Sequence, residues 1–255
     1  MDLRERTAAR IGPAGRHPWE LARARFFRRL IARSTDIGAV RRVLDVGAGD
    51  GWFAQELLPD LGPAAEVVCW DVNYRSEDLA TPAGARIART GERPDGPFDL
   101  VLLLDVLEHV EDDEGFLAGE VVPLLAPDGT AVVSVPAHPS LFSDHDRMLQ
   151  HHRRYRPADL RALVARHLEL ADRGSVFASL LAPRAVSVLA ERAGRHHDPT
   201  GVGAWTAGPA ITTALTAVLD ADATTTAGLS RRRLPVPGLS TWAVARAASR
   251  RSGCR

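Results

Sequence analysis

Apolar runs alternate with amphipathic segments along most of the chain, and the alternation predicts strands and helices that follow one another. Short apolar strands are predicted at 43–46, 66–71, 98–105 and 130–135, with a weaker one at 85–88. The run at 98–105 is almost continuously apolar, which is typical of a parallel strand buried on both faces. Helical spacing between these runs therefore predicts an α/β fold with a largely parallel sheet.

The two ends of the chain complete this pattern. Apolar residues at helical spacing predict an N-terminal helix over 19–37. Beyond the fifth strand the pattern predicts a helix over 156–167, a sixth strand over 168–177, helices over 182–193 and 209–219, and a seventh, antiparallel strand over 238–245. Val186 and Leu189 are expected to face inward. The prediction is a doubly wound, Rossmann-like, seven-stranded sheet (strand seven antiparallel) with helices on both faces and an N-terminal helical cap.

The domain prediction follows from this reading of the elements. Residues 1–38 are predicted to be an N-terminal arm and cap helix, and 39–255 the main domain. Within the main domain, 136–156 and 178–222 are expected to be insertions on the substrate side.

A glycine-rich turn follows the first strand. Asp45 closes the apolar run, and Gly47, Gly49 and Gly51 come at every second position. Glycine permits a positive φ and lets the backbone approach a ligand closely. Unpaired N–H groups at the start of the next helix can hold polar or anionic atoms. The stretch therefore predicts a strand, a tight turn and a helix with a ligand at the turn.

Acidic residues end two further predicted strands. Asp71 closes the second strand, 20 residues beyond Gly51, and Asp105 closes the fourth. Ligands of open parallel sheets bind outside the carboxyl ends of the strands, where a carboxylate at the second strand can accept ribose hydroxyls. The glycine turn and these acids are therefore expected to share one crevice.

Three motifs give the chain a family resemblance. The glycine spacing G-x-G-x-G after Asp45, D-V-L-E-H-V after F-D-L-V, and L-x-P-D-G-T-x-x-V-S-V-P together resemble class I S-adenosylmethionine-dependent methyltransferases over about residues 40–170. The resemblance implies S-adenosylmethionine as cofactor and S-adenosylhomocysteine as product. The cofactor-binding residues it implies are Asp45, Gly47, Ala48, Gly49, Trp52, Asp71, Val72, Asn73, Thr90, Asp105 and Val106. Many relatives have an acid at the end of strand three, whereas this chain has Arg89 and Thr90 there.

The segment after strand five holds four of the nine histidines. It resembles a branch of the family in which this segment lies over the cleft, which makes it the substrate-facing element. Histidine suits a base near neutral pH, and His145, His138 and His109 are the catalytic candidates. The predicted substrate contacts are Phe142, His145, His151, Arg153, Arg154 and Tyr155. Alternatively, Arg153, Arg154 and Tyr155 pin the segment to the domain.

A metal site is a less favoured alternative, and the main expectation is that no metal is bound. Asp105, Glu108 and His109 resemble the E-x-x-E-H motif with which small-RNA 2′-O-methyltransferases and some quinone-pathway O-methyltransferases hold a divalent cation. Here the first acid is aspartate, and D-V-L-E-H is also found in relatives that use no metal.

Composition narrows the function classes. The formal net charge is +0, which argues against a nucleic-acid partner. All 32 basic residues are arginine, so lysine nucleophiles and Schiff bases are excluded. Cys69 and Cys254 suggest no disulfide framework. The N-terminus has no apolar signal core and the chain no membrane-spanning apolar run. We therefore expect a cytoplasmic protein without stable membrane insertion, either a monomer or a homodimer.

The sequence-based hypothesis is a methyltransferase acting on a small molecule. O-methylation of a metabolite with an acidic or phosphorylated group, assisted by a histidine base, is the first choice. The alternatives are N- or C-methylation of a natural-product or lipid precursor, and a cofactor-binding homologue without turnover.

Overall fold

The sheet has seven strands in a computed structural model that describes residues 15–80, 83–194, 205–232, 234 and 236–247. In chain order they are β1 (Arg42–Val46), β2 (Glu66–Trp70), β3 (Ile87–Thr90), β4 (Phe98–Leu104), β5 (Leu125–Pro136), β6 (Glu169–Val176) and β7 (Ser240–Arg246). Their order across the sheet is β3-β2-β1-β4-β5-β7-β6. β1 to β5 are parallel, while β7 pairs antiparallel with both β5 and β6. The predicted fold class is confirmed.

The helices of the described residues, again in chain order, are α1 (Pro18–Ser34), α2 (Trp52–Leu57), α3 (Ser76–Ala80), α4 (Asp113–Gly115), α5 (Asp144–Met148), α6 (Pro157–His167), α7 (Leu181–Arg192) and α8 (Pro209–Arg231). The strand order reverses between β1 and β4, where the chain crosses from one half of the sheet to the other. This switch point is where open α/β sheets bind ligands.

Side chains of β4 alternate between the two faces of the sheet. Leu100 and Leu102 belong to the cluster that α1, α2 and α8 cover, whereas Val101 and Leu103 belong to the cluster that α6 covers. All four are fully buried. Burial on both faces explains why β4 reads as an unbroken apolar run rather than an alternating one.

The helix α1 forms the predicted cap. The N–H of Trp19 donates to His17 Nδ1 at 3.1 Å and the N–H of His17 donates to Glu20 Oε2 at 3.3 Å, which satisfies donors at the start of the helix. Phe26 and Phe27 are buried in the core beside the sheet. The cap is therefore anchored by the same apolar residues that predict it.

Several predicted boundaries are wrong. β3 lies at Ile87–Thr90 rather than 85–88, β5 begins at Leu125, and α8 extends to Arg231. After α4 the chain continues as a π-helical turn (Phe116–Val121) and a 3₁₀ turn (Val122–Leu124), where Pro123 removes a backbone donor. Most of the predicted N-terminal arm (1–14) and residues 195–204, within the predicted insertion 178–222, lie outside the described residues. The domain division stays a prediction.

The outer face of α7 also departs from expectation. Val186 and Leu189 are 66% and 62% exposed, although both were expected to face inward. Val188 is the buried residue of this helix. The helical period was recognised but its phase was wrong, because apolar residues lie on more than one side of α7.

Candidate cofactor and acceptor site

The glycine turn has the backbone geometry that its sequence requires. Gly47, Gly49 and Gly51 have φ angles of 62°, 59° and 73°. A Cβ built on Gly47 would lie 2.8 Å from a methyl carbon of Val106, closer than real Cβ contacts occur. The N–H of Gly47 donates to the carbonyl of Trp70 at 2.7 Å and ties the turn to β2. The turn therefore exposes backbone at the switch point, between β1 and the end of β4.

The carboxylate of Asp71 organises this turn. It accepts hydrogen bonds from Gly49 N at 2.9 Å and from Asn73, through the backbone N at 2.9 Å and Nδ2 at 3.1 Å. A carboxylate offers about four acceptor positions, so Asp71 keeps about one, on Oδ2, for a ligand hydroxyl. Asp71 and Asn73 thus lie beside the turn, and their contact with a ribose stays a prediction.

The side chain of Asp45 is a buried acid at the end of β1, beside the glycine turn. Its carboxyl is buried, and Oδ2 has no hydrogen-bond partner within the described residues. Burial raises its pKa from the ordinary value of 3.8 to about 7, with Asp71 and Asp50 adding to the rise and Arg23 opposing it. A buried acceptor without a partner fits a ligand that brings its own donor or positive charge, as S-adenosylmethionine does.

Arginines of the N-terminal region close over this crevice. Arg23 Nη2 lies 2.8 Å from Asp105 Oδ2, and Arg16 stacks 4.2 Å from the ring centroid of Trp52. The sequence-based site includes neither residue: Arg16 precedes α1, and helical spacing does not distinguish a buried arginine such as Arg23 from a solvent-exposed one. The side chain of Arg23 is only 16% exposed. The signal was present in Trp19 and Phe27, four residues to either side, whose rings flank the guanidinium.

The remaining predicted cofactor residues lie around the same strand ends. Val72 is 75% exposed, Ala48 is buried and Trp52 is half-buried. The hydroxyl of Thr90 donates to Glu92 O at 2.9 Å in a local turn. Arg89 reaches the glycine turn instead, with Nη2 donating to Asp50 O at 3.0 Å. The structure therefore brings these residues together at one edge, with a guanidinium where many relatives have an acid.

Asp146 is the centre of the segment between β5 and α6. Its fully buried carboxylate accepts hydrogen bonds from Arg154 Nε at 2.9 Å and Arg184 Nη2 at 2.6 Å, and its Oδ1 lies 3.0 Å from His151 Nδ1. Although burial opposes ionisation, these donors and cations hold the pKa of Asp146 well below its usual range. An ionised carboxylate thus joins the segment to α7.

Further contacts pin the end of this segment to the domain. The second arm of the Arg154 guanidinium donates to Ala137 O at 3.2 Å. The Tyr155 hydroxyl lies 2.6 Å from Asp113 Oδ2, and Arg153 Nη1 lies 3.1 Å from the same carboxylate oxygen. These internal partners favour the alternative in which Arg153, Arg154 and Tyr155 position the segment rather than bind substrate.

The histidine candidates have three different environments. His138 has a φ of 63°, and its Nε2 lies 3.1 Å from Gly238 O. His145 is on α5, where burial lowers its pKa below the ordinary 6.5 and the charge of Arg184 lowers it further. The ring of His109 packs edge-to-face on that of His151 at 4.6 Å between centroids. A lowered pKa keeps His145 neutral near pH 7, the form that can accept a proton. Phe142 lies beside α5 under the guanidinium of Arg147, 5.4 Å from it.

The potential metal ligands are grouped differently from the sequence-based alternative. Asp105 is engaged by Arg23 and accepts a hydrogen bond from Ser134 Oγ at 3.1 Å. Glu108 is fully buried, and both of its carboxyl oxygens lack hydrogen-bond partners within the described residues. Burial, reinforced by the Asp105 charge, raises the pKa of Glu108 well above its ordinary value. The Glu108 carboxyl lies with His109 and His151 rather than with Asp105 in a group of donors.

A seven-stranded sheet whose seventh strand is antiparallel, with a glycine turn after β1 at its switch point, is the fold of class I S-adenosylmethionine-dependent methyltransferases. The family model described as "Methyltransferase domain" matches residues 19–196, more than half of the chain, and the chain belongs to this family.

Similar proteins agree on this class. The ubiquinone biosynthesis O-methyltransferase of a Caulobacter species is 35% identical over 104 residues, which span 36% of this chain and 40% of that relative. Among solved structures, a putative sarcosine dimethylglycine methyltransferase from Galdieria sulphuraria matches with a TM-score of 0.55 at 16% identity, covering 90% of this chain and 86% of that one. The N-methyltransferase NodS of Bradyrhizobium japonicum, in complex with S-adenosylhomocysteine, matches with 0.51 at 17% identity, covering 89% and 87%.

One further neighbour qualifies what the fold alone establishes. The [4+2]-cyclase SpnF matches with a TM-score of 0.54 at 20% identity, covering 92% of this chain and 84% of that one. The same fold therefore carries more than one reaction type, and the acceptor chemistry must be argued from the site. Every helix of the described residues is too short or too polar to span a membrane.

Proposed function

We propose that this protein transfers the methyl group of S-adenosylmethionine to a hydroxyl oxygen of a small-molecule acceptor, with His145 as the base. One observation carries the proposal: α5 holds a half-buried imidazole with a lowered pKa in the segment that Asp146 fastens to the domain. The similarity to an O-methyltransferase over 104 residues supports oxygen as the acceptor atom. A cytoplasmic location, a single chain or a homodimer, and the absence of a nucleic-acid partner belong to the same proposal.

The chain's own residues divide the work between cofactor and acceptor. S-adenosylmethionine, when bound, supplies a methyl group already activated for displacement. The glycine turn and Asp71 would hold its nucleoside part, and the unpartnered Asp45 would face its positively charged part. Arg23 and its ring neighbours would close the crevice and exclude water.

His145 would act on the acceptor side. Its neutral imidazole takes the hydroxyl proton as the new C–O bond forms and the C–S bond breaks, so that S-adenosylhomocysteine leaves without charge. Alignment in this reaction is as important as proton transfer, because the displacement is in line. The contacts of Asp146 keep α5 in place and thus set the direction from which His145 reaches the acceptor.

The proposal includes an acidic or phosphorylated group on the acceptor, but fewer arginines can bind it than the sequence predicts. Arg154 is buried and occupied by Asp146 and Ala137. Arg153 is 34% exposed, and its guanidinium has five donors, of which Glu111 O and Asp113 engage some. Arg153 is therefore the proposed contact to an anionic acceptor group.

The test is release of S-adenosylhomocysteine by the full chain with matched acceptors. The panel pairs phenols and alcohols with the corresponding amines, each with and without a carboxylate or phosphate. We expect turnover of hydroxyl acceptors, and a loss of about 100-fold or more in kcat in His145→Ala with cofactor affinity unchanged. The control is His167→Ala, a histidine paired with Glu114 at the surface. Turnover of amines alone, or an unaffected His145→Ala, contradicts the proposal, and binding without product favours a non-catalytic homologue.

A further inference from the structure

Glu108, His109 and His151 place three donor atoms within 4.8 Å of one another. The first two follow β4, whereas His151 comes from the segment after β5, 42 positions beyond His109. One carboxylate and two imidazoles form the donor set of many catalytic zinc sites, which keep a further position open. The group therefore combines parts of the chain that are distant in sequence into one candidate site.

The state of Glu108 is the observation that points to a ligand. Its side chain is fully buried, and neither carboxyl oxygen has a hydrogen-bond partner within the described residues. Leaving a buried carboxyl unpaired is costly, and buried acids are normally paired or coordinate a metal. The two neighbouring imidazoles supply further donors at the same point.

His151 has the orientation that a metal ligand needs. Its Nδ1 lies 3.0 Å from Asp146 Oδ1, and because two guanidinium groups donate to the same carboxylate, Asp146 is assigned as the acceptor and Nδ1 as the donor. The lone pair is then on Nε2, at the far side of the ring. A carboxylate that receives the second N–H of a ligating histidine is the common outer partner of metal sites, and it fixes both tautomer and ring direction.

Asp105 does not belong to this donor set. Its carboxylate is paired with Arg23 at 2.8 Å and accepts a hydrogen bond from Ser134 Oγ at 3.1 Å. Recruiting it to a cation would break the ion pair that fastens α1 to the end of β4. Asp105 therefore pairs with the cap helix α1, whereas Glu108, three positions later, lies in the donor group with His109 and His151.

We propose that Glu108, His109 and His151 bind one divalent cation of the zinc class, with Asp146 as the positioning residue of His151. Two nitrogen donors favour Zn²⁺ or Co²⁺ over Mg²⁺, which prefers oxygen ligands and keeps several waters. Tetrahedral ligands of zinc are about 3.4 Å apart, so side-chain rotation must bring the donors slightly closer on binding. The role of the cation rests on the proposed function: it would bind the hydroxyl of the acceptor and lower the pKa of that hydroxyl.

The experiment is a titration of the chelator-treated full chain with Co²⁺, followed by its visible absorption, and with Zn²⁺, followed by calorimetry. We expect one equivalent per chain, with Mg²⁺ a weak competitor. Glu108→Gln and His151→Gln should each weaken binding at least 100-fold, and Asp146→Asn by about 10–100-fold. His152→Ala and Asp105→Asn should leave affinity within twofold. Circular dichroism confirms that each variant is folded. If His151→Gln does not fold, the test uses Glu108→Gln, which keeps the shape of the side chain.

Three outcomes would overturn the proposal: no saturable binding, binding that His151→Gln leaves intact, or binding that Asp105→Asn abolishes. Release of S-adenosylhomocysteine by the chelator-treated protein is measured in parallel. If turnover persists while the metal titration fails, the proposed function stands and the metal site does not. If the metal binds as expected but no acceptor is turned over, the metal site stands and the function falls.

Discussion

The two sides of the candidate site are built by different means. On the cofactor side, hydrogen bonds from the glycine backbone hold the turn: Gly47 N donates to Trp70 O, and Gly49 N donates to the Asp71 carboxylate. On the acceptor side, charged side chains do it, with Asp146 held by Arg154 and by Arg184, which is 38 positions away. The cofactor side therefore depends on the backbone conformation of the glycine turn, and the acceptor side on pairing between charged side chains.

The two buried aspartates express this difference most directly. Asp45 has an oxygen without a partner in the described part of the chain, and its pKa is raised to about 7. Asp146 accepts hydrogen bonds from Ser143, Arg154 and Arg184 and lies beside His151, and its pKa is lowered. The Asp45 carboxyl can therefore accept a hydrogen bond from a ligand, whereas the Asp146 carboxylate takes its donors from the protein itself.

Removing the charge of Asp146 should have the largest effect on the fold. Asp146→Asn leaves the Arg154 guanidinium buried without its counter-ion, so we expect a loss of about 3–5 kcal/mol in the free energy of unfolding. Urea unfolding measures it. The control is Asp144→Asn, two positions earlier on α5, whose pair with Arg147 is half-exposed and should contribute less than about 1 kcal/mol. Equal losses of stability in the two variants would contradict the assignment of Asp146 as the residue that holds the segment between β5 and α6 to the domain.

The pH dependence of stability should differ in sign between the two aspartates. Because the pKa of Asp45 is raised on folding from 3.8 to about 7, its contribution to stability falls as pH rises between these values, by at most about 4 kcal/mol. Because the pKa of Asp146 is lowered, its contribution is complete above the unfolded value and is lost as pH falls below it.

Urea unfolding of the cofactor-free protein between pH 4 and 8 checks the first statement. Asp45→Asn should remove the decline that the wild type shows over this range. A variant whose stability keeps the same slope would show that Asp45 is ionised throughout, and that its unpartnered oxygen is hydrated.

A smaller loss of stability is expected at the C-terminal end of the segment between β5 and α6. Tyr155→Phe removes a hydroxyl that lies 2.6 Å from Asp113 Oδ2 and 3.1 Å from Leu107 O, which should cost about 1–3 kcal/mol. The chain's other tyrosine, Tyr74, is a matched control, because its buried hydroxyl has no carboxylate or carbonyl partner within the described residues. Thermal unfolding of both variants compares them, and a larger loss in Tyr74→Phe would place the anchor elsewhere.

Sequence reasoning succeeded where the physics is local. The glycine spacing after Asp45 predicted the positive φ angles, and the continuous apolar run of β4 predicted a strand buried on both faces. Both follow from steric rules that act over a few residues.

It failed where partners are distant in sequence. Nothing in the order of residues indicated that Arg184 would reach Asp146, or that His151 would lie with Glu108. No arginine of α1 is among the predicted site residues, since the helical pattern does not show that Trp19 and Phe27 would enclose Arg23. These pairings depend on how strands and helices meet, which local periodicity does not determine.

The central claim is that the turn after β1 and Asp71 form the S-adenosylmethionine site. The most direct test is calorimetric titration of S-adenosylmethionine into the wild type, Asp71→Ala and Asp99→Asn. Asp99 is a matched acid at the opposite edge of the sheet, where it accepts from Arg41 N and Arg42 N. Loss of a hydrogen bond to a charged acceptor, together with the Asp71 contacts that hold Gly49 and Asn73, predicts affinity about 100-fold weaker in Asp71→Ala and unchanged in Asp99→Asn. Equal affinity in all three proteins, or binding of NAD in place of S-adenosylmethionine, would contradict the account.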